Sequence, residues 1–521
     1  MAGIMKLSRR SFTALTTAPL IAAGPLRGQE TGLRARIKVD TERVIGDIDP
    51  KIYGNFIEHL GRCIQGGVFD ESSPLSDANG FRKDVLAAAK DLKVSILRWP
   101  GGNFSSNYHW MDGIGPRDSR PPRLEMAWGT VEDNRFGTHE FMKYVETLGA
   151  EPYVCVNLGT GTWTEAQQWV EYCNSPLDTA MTRLRKQNGR TEPWKVTYWG
   201  LGNEIDGPWQ MGHRSAEDYG KFALEAAKLM KLTDPNVKLV AAGSSNFGPG
   251  SDWTGWNRTV LEYLKNYADY LALHMYVGNP QNDYGDFVAS SLELASRLKT
   301  AEGIIDAALS GVRNRKIHIA WDEWNVWYRA RGEGQRGRRI LEEHYNLEDA
   351  LVVATFLNTF VNHAHLVKIA NMAQLVNVIA PIFTNEHGLF LQTIYYPLQL
   401  FANNTRGRAL ELFVDSPKYS SRRFDDIPYL DVSAADDNGS LVLNVVNRHK
   451  DQAIQTEFEL QDKQFSGGAE AIEVTGTDIK AENNFDGAPV KPARRPAAAQ
   501  GKKLTYSFPP HSYTMIRAKL A

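Results

Sequence analysis

Two stretches of the sequence place a glutamate directly after an apolar run, in a pattern that could serve acid–base chemistry. In one, YWGLGNE ends on Asn203 and Glu204; in the other, IHIAWDEWN carries Asp322 and Glu323. A carboxylate at the end of a strand is usually only solvated. Two carboxylates that face one another, however, can divide the cleavage of a glycosidic bond, one as acid and the other as nucleophile or base. The interpretation therefore depends on the elements that position them.

Strand-like and helix-like patterns alternate along the middle of the chain. Segments such as FRKDVLAAAKDL and LEDALVVATFLNTFVNH have apolar residues at helical spacing. Eight strands alternating with helices predict the α/β class and a (β/α)8 barrel, with a doubly wound sheet as the alternative. That alternative needs an early phosphate-binding turn, and GTGTW at Gly159 lacks the third glycine and the acidic partner. The candidate strands are residues 52–57, 94–99, 152–157, 196–201, 237–242, 270–276, 317–321 and 366–371.

Beyond about residue 400 the pattern changes to strand-like runs without a long helix. LVLNVVNRH, QTEFELQD, EAIEVTG and LTYSFPPHSYTMIRAK are separated by turns, which predicts an all-β module, a sandwich. Within it, NNFDGAPVKPARRPAAAQGKK is rich in proline, alanine and basic residues. This composition predicts an exposed loop.

Composition and motifs exclude several classes of function. The 521 residues are 42% apolar and 23% charged, as in ordinary globular proteins. The formal net charge of -2 does not favour binding to nucleic acid or to an acidic membrane. Cys63, Cys155 and Cys173 form neither a disulfide framework nor a CxxC zinc motif. HExxH, GxxxxGK[ST] and GxSxG are absent from the sequence. We therefore expect no metal and no cofactor.

The N-terminus has the pattern of a targeting segment. MKLSRRSFTALTTAPLIAAG begins with basic residues and continues with a mildly apolar run that is too short to span a membrane. SRRSF, at residues 8–12, resembles a bacterial twin-arginine export signal, and a disordered basic tail is the alternative. We therefore expect export to the periplasm or the medium, and we exclude residues 1–30 from the fold.

In a (β/α)8 barrel, catalytic groups gather at the C-terminal ends of the strands. Six of the eight candidate strands end in polar side chains, and two carboxylates with amides beside them fit glycoside hydrolysis. A metal site at Glu58, His59 and Cys63 is the less favoured reading. The strand-end residues are Glu58 and His59 (first strand), Arg98 and Asn103 (second), Asn203 and Glu204 (fourth), His274 and Tyr276 (sixth), Asp322, Glu323 and Asn325 (seventh) and Gln374 (eighth).

Seven segments occur in a fixed order: FIEHLGR, LRWPGGNF, NLGTGT, EYCN, YWGLGNEIDGPWQMGH, WDEWNVWY and KIANMAQLVNVIAPI. Together they resemble the α-L-arabinofuranosidases of glycoside hydrolase family 51, closely over residues 45–400 and more loosely beyond. The resemblance implies a clan A (β/α)8 barrel and a β-sandwich that includes a strand from before the barrel, here RARIKVD. The resulting division is a leader (1–30), a strand that joins the sandwich (31–49), a catalytic barrel (50–400) and a C-terminal β-sandwich (401–521).

The resemblance also implies roles for individual residues. Glu204 of the GNE motif would be the general acid/base, and Glu323 of the DEWN motif would be the nucleophile of a retaining mechanism. Arg98 would fix Glu323, unless it is a purely structural ion-pair partner, and His274 would contact either the substrate or a catalytic side chain. The other implied substrate contacts are Asn203, Glu58 and Asn103 to sugar hydroxyls, Tyr276 beside the nucleophile, Gln374 closing the pocket and Trp209 stacking near the leaving group.

The implied activity is exo-acting hydrolysis of terminal α-L-arabinofuranosides of arabinan, arabinoxylan or their oligosaccharides, in L-arabinose catabolism. The implied enzyme is a homo-oligomer, with the hexamer as the family's larger form, and needs no cofactor. Two alternatives stay open: an endo-glucanase or xylosidase on the same barrel, and a non-catalytic carbohydrate-binding protein. Met275 and the basic loop RARGEGQRGRR depart from the family pattern near the substrate mouth, which leaves the leaving-group preference undetermined.

Overall fold

Eight parallel strands close into a barrel, each hydrogen-bonded to its neighbours in the sheet. The structure is a computed structural model that describes residues 32–331 and 337–521, so the predicted leader lies outside the described residues. The closed parallel sheet confirms the predicted (β/α)8 barrel. In chain order, its strands are Gly54–Phe56, Ile96–Trp99, Glu151–Val156, Tyr198–Leu201, Lys238–Ala241, Ala268–Val277, His318–Val326 and Val367–Ala373.

Side chains fill the interior of the barrel below its rim. Large rings alternate there with small and branched residues, as close packing of a barrel core requires. This packing leaves the C-terminal rim as the place where polar side chains can face solvent. The interior cluster consists of Ile96, Tyr153, Val240, Tyr270, Ala272, Ala320 and Ile369.

Helices surround the barrel, and several begin at a residue whose side chain caps the first turn. The side chains of Thr162, Ser215 and Asn346 each accept a hydrogen bond from a backbone N–H of the first helical turn. None of the described helices has the length and apolarity needed to cross a membrane. The α-helices are Lys83–Asp91, Thr138–Leu148, Trp163–Asn174, Ala180–Gln187, Ala216–Thr233, Trp253–Leu264, Tyr284–Phe287, Ser291–Ala308, Leu347–Asn362 and Tyr395–Asn404.

Nine strands form the second module, and they hydrogen-bond in one closed order. The first of them, Leu33–Asp47, precedes the barrel in sequence and pairs with Arg408–Asp415 and with Ile454–Leu460. An all-β C-terminal module is thereby confirmed. The remaining strands are Leu430–Asp436, Ser440–Asn447, Phe465–Val474, Ala493–Gln500, Lys503–Phe508 and Ser512–Leu520.

The helix Leu347–Asn362 joins the two modules. It is buried on every side, as expected for a helix that is apolar all round. Asn358 donates from Nδ2 to the Asp431 carboxylate at 2.6 Å and accepts from the Ser433 hydroxyl at 2.6 Å. The proposed boundary at 400/401 falls inside the last helix, Tyr395–Asn404. The barrel and the β module therefore share one continuous core.

One sequence-based expectation in this module is wrong. The proline- and alanine-rich segment, predicted to be a loop, contains the strand Ala493–Gln500. It pairs antiparallel with Phe465–Val474 on one side and with Lys503–Phe508 on the other. Backbone hydrogen bonds to two neighbours override the weak strand propensity of its residues, because strand formation depends on context more than on composition.

Three short hairpins lie outside the two closed sheets, and one of them reaches the barrel rim. The hairpin strands are Arg123–Glu125 with Thr130–Glu132, Ile382–Thr384 with Leu389–Leu391, and Lys418–Tyr419 with Ile427–Pro428. The first hairpin carries Trp128 at its turn. A salt bridge of 2.9 Å between Glu132 and His59 ties its base to the end of the first barrel strand.

Candidate active site

The polar side chains at the strand ends meet in one cavity of about 600 Å³ at the C-terminal rim of the barrel. Its walls come from most of the strands, as is usual for catalytic sites in this fold. Seven of the nine site residues suggested by the sequence line the cavity directly, and Arg98 and Asn203 lie just beneath. The residues that line it directly are Glu58, Asn103, Glu204, Trp209, Tyr276, Glu323 and Gln374.

Glu204 and Glu323 face each other in this cavity. A carboxyl oxygen of Glu204, one of Glu323 and a ring nitrogen of His274 all lie within 4.8 Å of one another. Paired carboxyl groups about 5 Å apart are typical of retaining glycosidases, whereas inverting enzymes need a wider gap for a water molecule. The pair thus has the geometry for attack on a sugar from one side and proton donation from the other.

A tight turn aims Glu204 into the cavity. Gly202 has a φ of 82° and Glu204 a φ of 47°, so the chain turns through the left-handed region twice within three residues. A non-glycine residue there carries backbone strain, which persists only where the surroundings hold it in place. The apolar strand Tyr198–Leu201 anchors one side of the turn. The strain places the Glu204 carboxyl at the rim.

Arg98 and Tyr276 hold Glu323. Arg98 donates to Oε1 at 2.6 Å, and the Tyr276 hydroxyl donates to Oε2 at 2.9 Å. Arg98 is fixed in turn by Asp322, whose Oδ2 lies 3.4 Å from its Nε and also accepts from the Tyr153 hydroxyl at 2.7 Å. A guanidinium and a hydroxyl that donate to the two oxygens of one carboxylate fix its orientation. Glu323 therefore has the setting of a nucleophile.

Glu204 is held differently. Its Oε1 lies 2.9 Å from Nδ1 of His274, and its Oε2 accepts from the indole N–H of Trp209 at 2.6 Å. Burial raises the pKa of Glu204, and the charge of Glu323 adds to this effect, although the hydrogen bonds of His274 and Trp209 oppose it. A raised pKa suits a group that must carry a proton to a leaving group.

His274 lies between three carboxylates. Besides Glu204, its Nδ1 is 3.5 Å from Glu323, and its Nε2 is 3.2 Å from Asp322. Burial lowers the pKa of His274, but the surrounding carboxylates outweigh burial and raise it well above its ordinary value. Burial raises the pKa of Asp322, but the charge of Arg98 and the contact with His274 outweigh burial and hold this pKa below its usual range. His274 therefore contacts the two candidate catalytic carboxylates, one of the two options that the sequence leaves open.

Glu58 forms the opposite wall. Its Oε1 accepts from the backbone N–H of Phe104 at 3.0 Å and from the Trp128 indole at 3.3 Å, and its Oε2 accepts from Gln374 at 3.0 Å. Burial raises the pKa of Glu58 to about 8, and repulsion by Glu323 contributes. The backbone hydrogen bond from Phe104 opposes this rise. Glu58 has no cationic partner in the described part of the chain.

Two buried amide atoms point to a missing partner. Asn203 accepts from Arg98 at 2.6 Å through Oδ1, whereas its Nδ2 has no hydrogen-bond partner among the described residues. Oε1 of Gln374 is likewise unpaired within residues 32–331 and 337–521. An unpaired buried polar atom costs free energy unless something satisfies it. A ligand with hydroxyl groups, such as a sugar, supplies both a donor and an acceptor.

Sequence reasoning missed the role of Gly102, which follows the second barrel strand. A Cβ at this position would lie 2.9 Å from Oε1 of Glu323 and 3.5 Å from Nδ2 of Asn203. Only a glycine leaves room for these two side chains. The signal was present as the paired glycines of RWPGGN, directly before Asn103. Asn103 itself is half-buried and lines the cavity.

The rim also contains aromatic residues that sequence reasoning did not select. Trp128 comes from the first hairpin, Phe247 from the loop after the fifth barrel strand and Trp327 from the loop after the seventh. In the loop that carries Phe247, the backbone N–H of Ser245 donates to the Asp206 carboxylate at 2.8 Å. Aromatic rings close the entrance around the carboxylates, and only the folded chain brings these distant rings together.

Glu204, His274 and Glu323 offer the donor atoms of a metal site, so this alternative needs a test. Both oxygens of Glu323 already accept hydrogen bonds from Arg98 and Tyr276. The charge of Glu323 is thus neutralised by a guanidinium of the chain itself. This arrangement fits an acid–nucleophile pair better than a metal centre. The suggested metal set at the first strand fits no better, because His59 is engaged by Glu132 at 2.9 Å.

Comparisons with known proteins agree with this chemistry. Two family models match the chain: "Alpha-L-arabinofuranosidase 1 domain" over residues 88–290 and "Alpha-L-arabinofuranosidase C-terminal domain" over residues 322–512. An intracellular exo-α-(1→5)-L-arabinofuranosidase 1 of Bacillus subtilis is 41% identical over 497 residues, which cover 93% of this chain and 99% of that protein.

Solved structures agree as well. The arabinose complex of an α-L-arabinofuranosidase from Thermotoga maritima superposes with a TM-score of 0.86 at 38% identity, covering 93% of this chain and 100% of that one. A family 51 α-L-arabinofuranosidase from Bifidobacterium longum gives a TM-score of 0.88 at 34% identity, covering 94% and 100% of the two chains. The described chain thus shares its fold with these two arabinofuranosidases.

The comparisons correct one prediction. The Bacillus subtilis relative is named intracellular, and so are relatives from Halalkalibacterium halodurans, 39% identical over 93% of this chain and 99% of that protein, and Acetivibrio thermocellus, 38% identical over 88% and 94%. These names contradict the export predicted from SRRSF. A basic, alanine-rich N-terminus is a weak signal, because composition alone does not distinguish it from an unrelated tail.

The matches to both modules, the 41% identity and the shared fold extend over nearly the whole chain. They confirm the resemblance seen in the seven segments. The chain therefore belongs to the α-L-arabinofuranosidase family, glycoside hydrolase family 51.

Proposed function

We propose that this glycoside hydrolase removes terminal non-reducing α-L-arabinofuranosyl units from arabinan, arabinoxylan or their oligosaccharides, in the use of L-arabinose. The observation that carries the proposal is the facing pair Glu204 and Glu323, whose carboxyl oxygens lie within 4.8 Å. Their unlike surroundings support two different roles, because an arginine holds one carboxylate while burial raises the pKa of the other.

The reaction would be a double displacement. A carboxylate oxygen of Glu323 attacks C1 of the arabinofuranosyl unit while Glu204 gives its proton to the departing oxygen, which leaves as an alcohol. Glu204 then takes a proton from water, and the resulting hydroxide displaces Glu323 from C1. Two inversions at C1 retain its configuration. The short distance between the two carboxyl groups supports this course over a single displacement by water.

The sugar would be held by the polar atoms left unpaired around the pair. Nδ2 of Asn203 can donate to one hydroxyl, and Oε1 of Gln374 can accept from another. Glu58 and Asn103, which line the same cavity, would contact further hydroxyls. The side chains of Asn203 and Gln374 are each held by another hydrogen bond, from Arg98 to Asn203 and from Gln374 to Glu58. The site is therefore preorganised for binding.

Aromatic residues on several sides of the cavity support exo action. Trp128, Phe247 and Trp327 stand on three different loops around one cavity, which therefore has walls on several sides. An endo-glucanase needs an open cleft that admits a chain in both directions. A pocket admits only a chain end. The xylosidase alternative uses the same pocket and is distinguished by the assay below.

The test of the function is arabinose release by the purified chain. We expect rapid release of nitrophenol from 4-nitrophenyl α-L-arabinofuranoside and little from the β-D-xyloside or β-D-glucoside. Equal activity on the xyloside would support the xylosidase alternative. Glycan binding without any turnover would support the non-catalytic alternative.

Stereochemistry is tested separately. Proton NMR during the first minutes of hydrolysis should show the α anomer of L-arabinose before mutarotation. Early appearance of the β anomer would rule out the double displacement. The Glu204→Ala variant offers a second readout, because azide should then intercept the covalent intermediate and give an α-arabinofuranosyl azide.

We also propose that the protein is a homo-oligomer. The first hairpin exposes Leu124, Met126 and Val131, with exposed fractions of 67%, 48% and 62%, and Met111 nearby is 47% exposed. Contiguous apolar side chains of this kind are typical of surfaces that bind protein. Light scattering on the intact protein should give a mass that is a multiple of one chain. A Leu124→Lys variant should lower it, and a monomer at all concentrations would contradict the proposal.

A further inference from the structure

Both oxygens of Glu204 accept hydrogen bonds from N–H groups. The Trp209 indole donates to Oε2 at 2.6 Å, and His274 Nδ1 lies 2.9 Å from Oε1. The indole can only donate, and His274 has its other nitrogen beside Asp322 at 3.2 Å. Donors on both oxygens favour the ionised form of a carboxyl group. The two donors thus oppose the protonation of Glu204 that burial and the charge of Glu323 favour.

The two donors differ in how firmly they are held. His274 is 5% exposed and is fixed on the buried Asp322, so Oε1 stays occupied. Trp209 is 52% exposed, so its ring can move without opening a hole in the core. Oε2 is therefore the oxygen that can be freed to carry the proton.

The closed position of Trp209 is nevertheless built into the chain. The loop turns directly after Glu204, where the N–H of Gly207 donates to the Glu204 carbonyl oxygen at 2.8 Å. The ring of Trp209 packs on Gly207, since a Cβ there would lie 2.4 Å from Cε2 of the indole. Any other residue at 207 would push the ring off its place. This close approach and the bond to Oε2 define one position of the ring, directly in the cavity where a leaving group must lie.

We propose that Trp209 is a positioning residue that opposes protonation of Oε2 of Glu204 in the free enzyme and is displaced by the leaving-group part of the substrate. This inference deepens the proposed function and rests on it. When the ring leaves, Oε2 loses its donor and takes up a proton from solvent. During cleavage, this proton passes to the glycosidic oxygen as the bond to C1 breaks and Glu323 bonds to C1. Proton uptake is thereby coupled to occupation of the leaving-group site.

Several other titratable groups surround Glu204. His274 and Glu323 face it from the sixth and seventh barrel strands, Tyr276 stands beside Glu323, and Glu58 lies across the cavity. Burial and Glu323 raise the pKa of Glu204, while His274 and Trp209 lower it. Trp209 is the contributor that a substrate can remove.

The experiment compares pH profiles of the wild type and Trp209→Phe, which keeps a ring but removes the N–H. The substrate is an α-(1→5)-linked arabinobiose, whose sugar leaving group needs protonation. In the wild type, we expect the alkaline limb of kcat/KM, which reports the free enzyme, at lower pH than the limb of kcat. In Trp209→Phe, the kcat/KM limb should move up by about half to one pH unit, the usual effect of one hydrogen bond to a charged group, while the kcat limb stays.

Two controls separate this role from simple stacking. With 4-nitrophenyl α-L-arabinofuranoside, whose leaving group needs little protonation, Trp209→Phe should leave the alkaline limb in place. A stacking role alone would change KM and shift neither limb. Trp163→Phe replaces another exposed tryptophan, 41% exposed and outside the cavity, and should match the wild type throughout.

Several outcomes would overturn the proposal. One is that the alkaline limbs of kcat and kcat/KM fall at the same pH in the wild type. Another is that the alkaline limb of kcat/KM on arabinobiose stays at its wild-type pH in both Trp209→Phe and Trp209→Ala. These failures are distinct from failure of the proposed function, in which the wild type would release no arabinose at any pH. Because Trp209 is half exposed, both variants should fold, and thermal unfolding of each checks this directly.

Discussion

Arg98 lies beneath Glu323 and donates to its Oε1 at 2.6 Å, while a second nitrogen of the same guanidinium donates to Asn203 at 2.6 Å. The proposed nucleophile and the amide beside the proposed acid are thus positioned by one buried side chain, 1% exposed. The ring of Phe56 covers the guanidinium, 4.6 Å from its centre. This relationship fixes the spacing of the catalytic pair.

Arg98→Lys should lower kcat by about two decades. The single ammonium of lysine cannot make both hydrogen bonds that the planar guanidinium makes to Glu323 and Asn203. The loss should appear in kcat through displacement of Glu323, and KM should rise as well because Arg98 also positions Asn203. Steady-state kinetics on the nitrophenyl substrate measures both. The control is Arg82→Lys, another buried arginine, paired with Asp84 away from the cavity. It should cost stability only, and a kcat loss of equal size there would contradict the prediction.

Glu323→Ala and Glu204→Ala should each lower the rate on arabinobiose by at least about three decades, the share that nucleophilic and acid catalysis usually carry. On the nitrophenyl substrate, Glu204→Ala should lose less than Glu323→Ala, because nitrophenol leaves without a proton. Glu302→Ala removes a partly exposed carboxylate on a barrel helix, paired with His365, and serves as the control. Near-normal turnover by either active-site variant would refute the assignment.

Gly102→Ala should lower kcat/KM by about two decades or more. The new Cβ would lie 2.9 Å from Oε1 of Glu323, so the nucleophile must shift out of its hydrogen bonds, and a displacement of this size is costly in an active site. Gly303→Ala, in the helix Ser291–Ala308, adds the same methyl group where nothing lies within 4 Å. It should keep full activity and gain up to about 1 kcal/mol of stability. Equal activity of the two variants would argue against close packing at Gly102.

Glu58 should make the protein less stable as the pH rises. Its pKa is about 8 in the folded state against an ordinary 4.5, so the folded state binds the extra proton between these values. Its stabilising contribution is complete below about pH 4.5 and is lost as the pH rises through 8. The free energy of unfolding should therefore fall by up to about 1.4 kcal/mol per pH unit in this window because of this group.

Glu58→Gln keeps the shape of the neutral acid and should remove this slope. Urea unfolding of both proteins at several pH values measures it. Glu386→Gln, an exposed carboxylate on the turn between Ile382–Thr384 and Leu389–Leu391, is the control and should keep the wild-type slope. Parallel stability curves for wild type and Glu58→Gln would contradict the raised pKa.

The sequence by itself determined the barrel and placed Glu204 and Glu323 at its rim. Eight alternating strands and helices allow few arrangements, and parallel strands bring all of their C-terminal ends to one rim. Residues as distant as Glu204 and Glu323 could therefore be placed together from their positions at strand ends alone. The segment RARIKVD, which the family resemblance assigns to the β module, lies within the longer strand Leu33–Asp47.

Only the tertiary structure decided the contacts between those residues. The distance between the two carboxyl groups, the place of His274 between three acids and the bond from Trp209 to Glu204 depend on side-chain directions that a strand pattern does not specify. The strand Ala493–Gln500 formed against its composition for a related reason. Periodicity reports which face of an element is buried, whereas hydrogen bonds and packing between distant segments arise only when the chain has closed around them.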